Sequence, residues 1–109
     1  MPRYLTLFKY SPEGTKGFLK EKAAAREAAV RKGVESVGGK LETLYWASSG
    51  GEYTGMTIGE FPDAATATAF LALLQSSGMF EDFKIIELLT TSEIDRALGK
   101  SMTYRPPGG

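Results

Sequence analysis

Residues 41–61 read LETLYWASSGGEYTGMTIGEF. Apolar and polar residues alternate on both sides of the central Ser-Ser-Gly-Gly, which has the length and flexibility of a hairpin loop. The alternation predicts one strand from about Lys40 to Ala47 and another from about Glu52 to Phe61. Because aromatic residues stand beside the loop, this hairpin is predicted to place their rings at one end of a β-sheet.

The sequence on either side of the hairpin supplies the other elements of one small domain. The predicted elements are a first strand at Arg3–Tyr10, a helical turn started by Ser11-Pro12, a helix from about Phe18 to the Gly38-Gly39 stop, a helix from Pro62-Asp63 to Ser77, a fourth strand at Phe83–Leu89, and a short helix, capped by Thr91-Ser92-Glu93, that ends at Leu98. The order β-α-β-β-α-β belongs to the ferredoxin-like split βαβ unit, whose antiparallel sheet carries two helices on one face. We therefore predict an α+β fold with one domain over residues 1–99.

The last ten residues are predicted to form a tail. Residues 100–109 end in Pro-Pro-Gly-Gly, and terminal segments of this composition are flexible unless other contacts hold them. In the alternative, Met102 and Tyr104 attach the tail to a neighbouring subunit.

Composition limits the chemistry that the chain can perform. It has 109 residues, 13 lysines plus arginines, 13 aspartates plus glutamates, no cysteine and no histidine. Without a basic block it lacks the electrostatic field that attracts nucleic acid or an anionic membrane, so neither partner is expected. Thiolate and imidazole ligands are missing, so we expect no metal and no cofactor. The N-terminus lacks a signal-peptide pattern and no apolar run approaches the ~18 residues that cross a bilayer, so we expect a cytoplasmic protein.

Strand parity divides the sheet residues into two sets. The aliphatic set, which we expect beneath the helices, is Leu5, Leu7, Met56 and Ile58. The other set, which we expect on the face away from the helices, is Tyr4, Thr6, Phe8, Tyr10, Thr43, Tyr45, Tyr53, Gly55, Thr57 and Gly59. Glycine inside a strand indicates close approach of another group, or a local twist or bulge. An aromatic face of this size is too apolar to leave in water, so a second copy of the chain is expected to cover it.

Two such sheets packed face to face would make a dimeric α+β barrel. We expect this homo-oligomer to bind a small apolar or aromatic molecule at the intersheet or sheet–helix cavity, through Phe8, Tyr10, Tyr45, Tyr53 and Thr57. One alternative is a cofactor-independent enzyme of the monooxygenase or isomerase type, in which Tyr53 or Glu52 would transfer protons. Another is a structural or regulatory oligomer without a ligand. The sequence assigns no residue a catalytic role.

Charged residues near the hairpin and the first helix leave further alternatives. Two of Glu42, Glu52 and Glu60 could meet as a carboxylate pair, although solvated carboxylates at strand ends are the favoured interpretation. Arg26 could bind an anion under the sheet, although an arginine that snorkels to solvent or forms an ion pair is favoured.

Four segments resemble the GYD family of small bacterial and archaeal proteins. They read YLTLFKYSPEG, AVRKGVESVGGKLETLYW, GEYTGMTIGEFPD and KIIELLTTSEIDRAL. Gly51 and Tyr53 match the Gly-x-Tyr-Asp signature that names the family, but Thr54 stands at the aspartate position and cannot supply a carboxylate. The resemblance implies a dimeric α+β barrel and a family without a settled activity. A role that needs an acid at the signature would fall to Glu52 or Glu60.

Overall fold

The computed structural model describes residues 1–48 and 51–109, and in these ranges it contains four strands and four helices. The strands are β1 (Arg3–Tyr10), β2 (Lys40–Trp46), β3 (Gly55–Glu60) and β4 (Phe80–Leu88), and the helices are α1 (Pro12–Glu21), α2 (Ala23–Ser36), α3 (Ala64–Ser76) and α4 (Thr91–Leu98). The predicted hairpin loop includes residues 49–50, which lie outside the described ranges. No helix in the described ranges is both long enough and apolar enough to span a membrane.

The four strands form one antiparallel sheet in the order β2-β3-β1-β4. Strand β3 therefore lies between β1 and β2, as a split βαβ unit requires. Both α2 and α3 pack on the same face of the sheet, where Val34 and Ala67 meet Tyr4 and Phe61 in the buried core. The structure confirms the predicted α+β class and the four-stranded antiparallel sheet.

The predicted orientation of the sheet is wrong. Tyr4, Phe8 and Tyr10 were expected on the outer face but are buried under the helices. Four other residues expected on the outer face also lie on the helix side: Thr6, Gly55, Thr57 and Gly59. The four aliphatic residues Leu5, Leu7, Met56 and Ile58 lie on the other face. The physical reason is area, because aromatic rings bury more apolar surface than leucine or isoleucine and fill the space beneath two helices.

A register shift in β2 explains why Thr43 and Tyr45 lie on the face away from the helices, as predicted. The pairing register between β2 and β3 shifts between Leu41 and Thr43, so residues after the shift change their parity relative to β1. Leu41 and Leu44 are buried on the helix side, whereas Thr43 and Tyr45 remain on the face away from the helices. Trp46 points to the helix side and stacks on Phe18 with ring centroids 4.7 Å apart.

The helix predicted from about Phe18 to Gly38 is two helices. The Ser11 hydroxyl oxygen accepts from the Gly14 N–H at 3.1 Å, so α1 already begins at Pro12. It ends at Glu21. The next residue, Lys22, has a φ of 74° and a ψ of 173°, which separate α1 from α2. Glycine populates this backbone region far more readily than lysine does. Spacing of apolar residues could not reveal the break, because the side chain at position 22 gives no signal for it.

We expect Lys22→Gly to raise the free energy of unfolding by about 1 kcal/mol, because relief of roughly 1–3 kcal/mol of backbone strain exceeds the entropic cost of an added glycine. Urea unfolding followed by circular dichroism measures the change. Lys20→Gly, inside α1, is the control and should lower stability by about 1 kcal/mol. Equal losses at the two positions would show that Lys22 is not strained.

Three other predicted boundaries move by a few residues. Strand β3 begins at Gly55 and not at Glu52, β4 begins at Phe80 and not at Phe83, and the cap of α4 is Thr90. Thr90 Oγ1 accepts from the Glu93 N–H at 3.1 Å, and Glu93 Oε1 accepts from the Thr90 N–H at 3.0 Å. These reciprocal bonds form a capping box that begins one residue before the predicted cap.

Candidate functional site

A small cavity lies between the sheet and helices α2 and α3. Its volume is about 50 Å³. Apart from Gly59, the residues around it are aromatic, aliphatic or hydroxylated: Tyr4, Thr6, Phe8, Tyr10, Val30, Val34, Leu41, Thr57, Phe61, Phe70, Leu71, Leu74, Phe80 and Phe83. None of these residues is an aspartate, glutamate, lysine or arginine. An apolar lining with a few polar groups is the usual composition of a small-molecule site.

Two threonine hydroxyls supply the polar groups on the floor of the cavity. Thr6 on β1 and Thr57 on β3 are directly opposite each other in the antiparallel ladder, and both side chains are half-buried. Neither hydroxyl bonds a protein group of the described ranges, and neither is closed off from water, because no side-chain oxygen there is both buried and unpartnered. A ligand with a donor or an acceptor could therefore bond to them without displacing an existing protein contact.

The core around the cavity is incompletely closed. Among the described residues, no large side chain is less than 2% exposed. Ile85 lies on the helix side of β4 next to Thr6, yet it remains 41% exposed. Ligand sites usually measure about 300–1,000 Å³, so this cavity admits only a few atoms unless α3 moves away from β4.

Tyr10 separates the cavity from a second cleft of about 230 Å³ at the ends of α1 and α3. Arg26 lines this cleft, and its Nη1 donates to Glu21 Oε2 at 3.2 Å. Hydrogen bonding to the Tyr10 phenol raises the pKa of Arg26 above its ordinary value, and Glu21 acts in the same direction. The favoured prediction of an ion-paired Arg26 is therefore confirmed.

Tyr4 closes the opposite end of the cavity, against Phe61 of the core. Burial raises the pKa of the Tyr4 phenol, and the nearby carboxylates of Glu87 and Asp63 add to the shift. The phenol is therefore protonated at neutral pH, where it can donate a hydrogen bond but is a poor proton acceptor.

The structure brings together three of the five predicted ligand residues. Phe8, Tyr10 and Thr57 line the cavity. Tyr45 does not, because it is 67% exposed on the face away from the helices. Tyr53 lies at the hairpin end of the sheet, where Lys84 Nζ is 5.9 Å from its ring centroid and Asp82 Oδ2 is 3.5 Å from its hydroxyl.

Tyr53 and Glu52 instead border a separate cleft of about 370 Å³ with Phe18 and Trp46. Sequence reasoning missed most of the cavity wall, including Tyr4, Thr6, Val34 and Phe61. The available signal was the parity that Tyr4 and Thr6 share with Phe8, together with the helical spacing of Val30 and Val34.

Gly55 allows the ring of Phe8 to occupy the cavity wall. A Cβ atom at Gly55 would lie 2.8 Å from Phe8 Cζ and 2.8 Å from the Tyr45 carbonyl oxygen. At Gly59 a Cβ atom would lie 3.0 Å from the Lys40 carbonyl oxygen. Both distances are shorter than ordinary contacts between these atoms, so the predicted close approach is confirmed. The approaching groups belong to the same chain.

Thr54, at the aspartate position of the signature, has a structural role, because it hydrogen-bonds the backbone of β1. Its Oγ1 accepts from the Tyr10 N–H at 3.0 Å, and its own N–H donates to the Phe8 carbonyl oxygen at 2.8 Å. These bonds fix the end of β1 beside the cavity. A threonine hydroxyl supplies the acceptor that the Tyr10 amide requires, so this contact needs no carboxylate.

The face away from the helices, which we call the open face, has an apolar centre and a charged rim. One row across the sheet is Thr43, Ile58, Leu5 and Ile86, and the next is Tyr45, Met56, Leu7 and Lys84. At one end Arg3 bonds Glu42 at 2.8 Å and Glu60 at 3.2 Å. The arginine therefore brings two of the three hairpin glutamates together, and Glu52 is not part of the group. Such a centre and rim are typical of protein interfaces.

Comparison with known proteins adds a family assignment. The model of the family described as GYD domain matches residues 4–98. No curated protein matches the sequence. The matched range begins at the second residue of β1 and extends to the last residue of α4.

Proposed function

The chain belongs to the GYD domain family, and we propose that it forms a cytoplasmic homodimer that binds a small apolar or aromatic molecule in the cavity between the sheet and the helices. The ligand that we propose carries a hydrogen-bonding group that meets Thr6 and Thr57. It completes a core that the protein's own side chains leave partly unfilled.

One observation carries the ligand proposal: two unpartnered threonine hydroxyls face an apolar cavity. Water can reach both hydroxyls, because no side-chain oxygen of the described residues is both buried and without a partner. A ligand with a donor or an acceptor would replace water at these two groups. A valine at either position would fill a similar volume but would offer the ligand no hydrogen bond. The hydroxyls are thus more useful for binding than for packing.

The homodimer rests on the open face. Leu5, Leu7, Met56 and Ile58 are only half-buried within one chain, and Ile86 is exposed beside them. Contiguous apolar surface with a charged rim usually marks a contact surface. A second copy offers a surface of the same size and character, which supports pairing of the two sheets face to face.

The cavity favours binding over catalysis. Its lining includes no carboxylate or amine, and Tyr4 is protonated at neutral pH. The residues that an enzyme was expected to use, Tyr53 and Glu52, border another cleft. Acid–base chemistry needs a titratable group within hydrogen-bond reach of the reacting atoms.

We expect phenol to bind the purified protein about 5–10-fold more tightly than toluene, because a gained hydrogen bond contributes about 1 kcal/mol. Both rings are larger than the closed cavity, so their binding requires α3 to move away from β4. Thr57→Val should remove this preference while leaving toluene binding unchanged. Isothermal titration calorimetry with both probes measures the two affinities, and native mass spectrometry of the untreated protein detects a molecule retained from the cell.

Thr68→Val is the control, because Thr68 is exposed on α3 and its hydroxyl bonds the Ala64 carbonyl oxygen. This variant should bind both probes as the unmodified chain does. A second variant, Thr57→Leu, should abolish binding by filling the cavity. Failure of both probes to bind, with no molecule retained in the mass spectrum, would favour an oligomer without a ligand.

A further inference from the structure

The C-terminal segment stands away from the rest of the chain. The radius of gyration is 17.1 Å and the dimensions are 55 × 34 × 25 Å. A compact domain of this length is expected to have a radius of gyration of about 13 Å. We call residues 89–109 the arm. They contain α4 and the tail, and most of their side chains are exposed.

The arm carries an apolar stripe in water. Ile94 and Leu98 are one helical turn apart on α4 and are 42% and 76% exposed. Met102 and Tyr104 continue the stripe beyond the helix, and each is 77% exposed. The opposite side of α4 presents Ser92 and Arg96. A helix with one apolar side normally packs that side against another surface.

Helix α4 is too short to be stable without such a surface. It has eight residues, whereas isolated helices shorter than ~12–15 residues are marginal in water. Its capping box stabilises the first turn but leaves the stripe uncovered. Within the described part of the chain, no surface covers the stripe, so α4 would be stabilised by docking on another surface.

The arm begins at the edge of the open face. Leu89, Thr90 and Glu93 line a cleft of about 240 Å³ together with Arg3 and Glu60, and these last two residues form the charged rim. In a face-to-face pair of sheets, the arm of each copy would thus leave its own sheet directly at the margin of the shared interface.

The open face offers a limited area for a dimer contact. Strands about 4.8 Å apart, with about six paired residues at about 3.3 Å each, give a face of roughly 400 Å² in projection. Its accessible area is larger, because side chains project from the sheet, and a stable interface buries about 800 Å² of accessible surface on each partner. The arm lies beside the sheets, where it would enlarge the buried area.

We propose that the arm docks on a second copy of this chain, with the stripe of α4, Met102 and Tyr104 packed along the edge of the paired sheets. This inference rests on the homodimer of the proposed function. Each copy both donates and receives an arm, so a closed two-fold dimer covers both stripes.

The experiment compares two double variants of the full chain. Ile94→Gln with Leu98→Gln removes the stripe, and Ser92→Gln with Arg96→Gln changes the opposite side of the same helix. Glutamine is a good helix former, so α4 keeps its propensity in both variants. We expect the Ile94/Leu98 double variant to raise the dimer dissociation constant about 100-fold or more, because it removes two side chains buried at the centre of the contact. The Ser92/Arg96 double variant should change the constant less than about threefold. Sedimentation velocity over a concentration series measures both constants.

Hydrogen exchange of the α4 amides gives an independent readout. We expect protection of these amides at concentrations where the unmodified chain is dimeric, and loss of protection on dilution to the monomer. A dimer that is equally stable in both double variants, or α4 protection that does not depend on concentration, overturns the arm and leaves the homodimer intact. If the unmodified chain stays monomeric at about 100 μM, the arm proposal and the homodimer proposal are both overturned. The phenol and toluene titrations test the ligand proposal separately.

Discussion

Gly14→Ala is expected to lower the free energy of unfolding by about 3 kcal/mol or more, and to leave the protein partly unfolded at 37 °C, because overpacking between immobile groups is among the most destabilising kinds of substitution. A Cβ atom at position 14 would overlap the carbonyl oxygen of Met79 and lie 3.1 Å from Tyr10 Cδ1. The Met79 carbonyl cannot withdraw easily, since it already accepts the Ser11 N–H at 2.9 Å. To relieve the overlap, α1 would have to move away from Met79, the residue that precedes β4.

The matched control lies in the same helix. Nothing lies within 4 Å of a Cβ atom built at Gly17, so Gly17→Ala should stabilise the protein by about 0.5–1 kcal/mol through helix propensity. Thermal unfolding by differential scanning calorimetry compares the two variants. If both alanines had the same effect, α1 would not be held against Met79 as the structure shows.

Ile58→Lys is expected to raise the dimer dissociation constant more than about 1,000-fold, which corresponds to about 4 kcal/mol. Ile58 lies on a central strand of the open face, between Thr43 and Leu5. A dimer with two-fold symmetry buries the substituted residue in both copies, so two ammonium groups would lose water without gaining carboxylate partners. Sedimentation velocity at several concentrations measures the constant.

Leu73→Lys is the control for this substitution. Leu73 is exposed on α3, on the other side of the molecule from the open face, so its replacement adds the same charge without changing the proposed interface. We expect the Leu73 variant to dimerise as the unmodified chain does. Equal dimerisation of the Ile58 variant would place the interface elsewhere and would remove the reason for pairing the sheets.

The features that sequence predicted well are those that neighbouring residues decide. The alternation at Arg3–Tyr10 agrees with β1 at both ends, and Asp63 begins α3 because its side chain accepts the Thr66 N–H at 2.7 Å. That bond also lowers the pKa of the Asp63 carboxyl. Strands, caps and stops depend on contacts within about four residues, so they are visible in the order of residue types.

The features that sequence missed depend on contacts between distant segments. Whether Tyr4 or Leu5 lies under the helices depends on which face of the sheet α2 and α3 cover, and both choices satisfy the alternation of β1 equally well. The position of α1 also depends on distant residues, because Ser11 at its start bonds Gly78 and Met79, more than sixty residues away.

The candidate site shows the same division. Phe8, Tyr10 and Thr57 were correctly grouped because parity alone places them on one face. Tyr45 was wrongly added because the register shift in β2 reverses its parity, and a bulge of this kind is set by pairing with β3. The cavity, its two threonine hydroxyls and the exposed arm emerge only when all elements are packed.

The amino-acid sequence is enough to predict the order of the four strands, the antiparallel β2–β3 pair, most helix start signals and the absence of thiol and imidazole side chains. These follow from side-chain type and local hydrogen bonding, which act over short stretches of chain. Tertiary structure alone decided which face of the sheet is core, which aromatic rings surround the cavity and which apolar surfaces remain uncovered. These depend on the total apolar area that the elements can bury together, a quantity that no single segment contains.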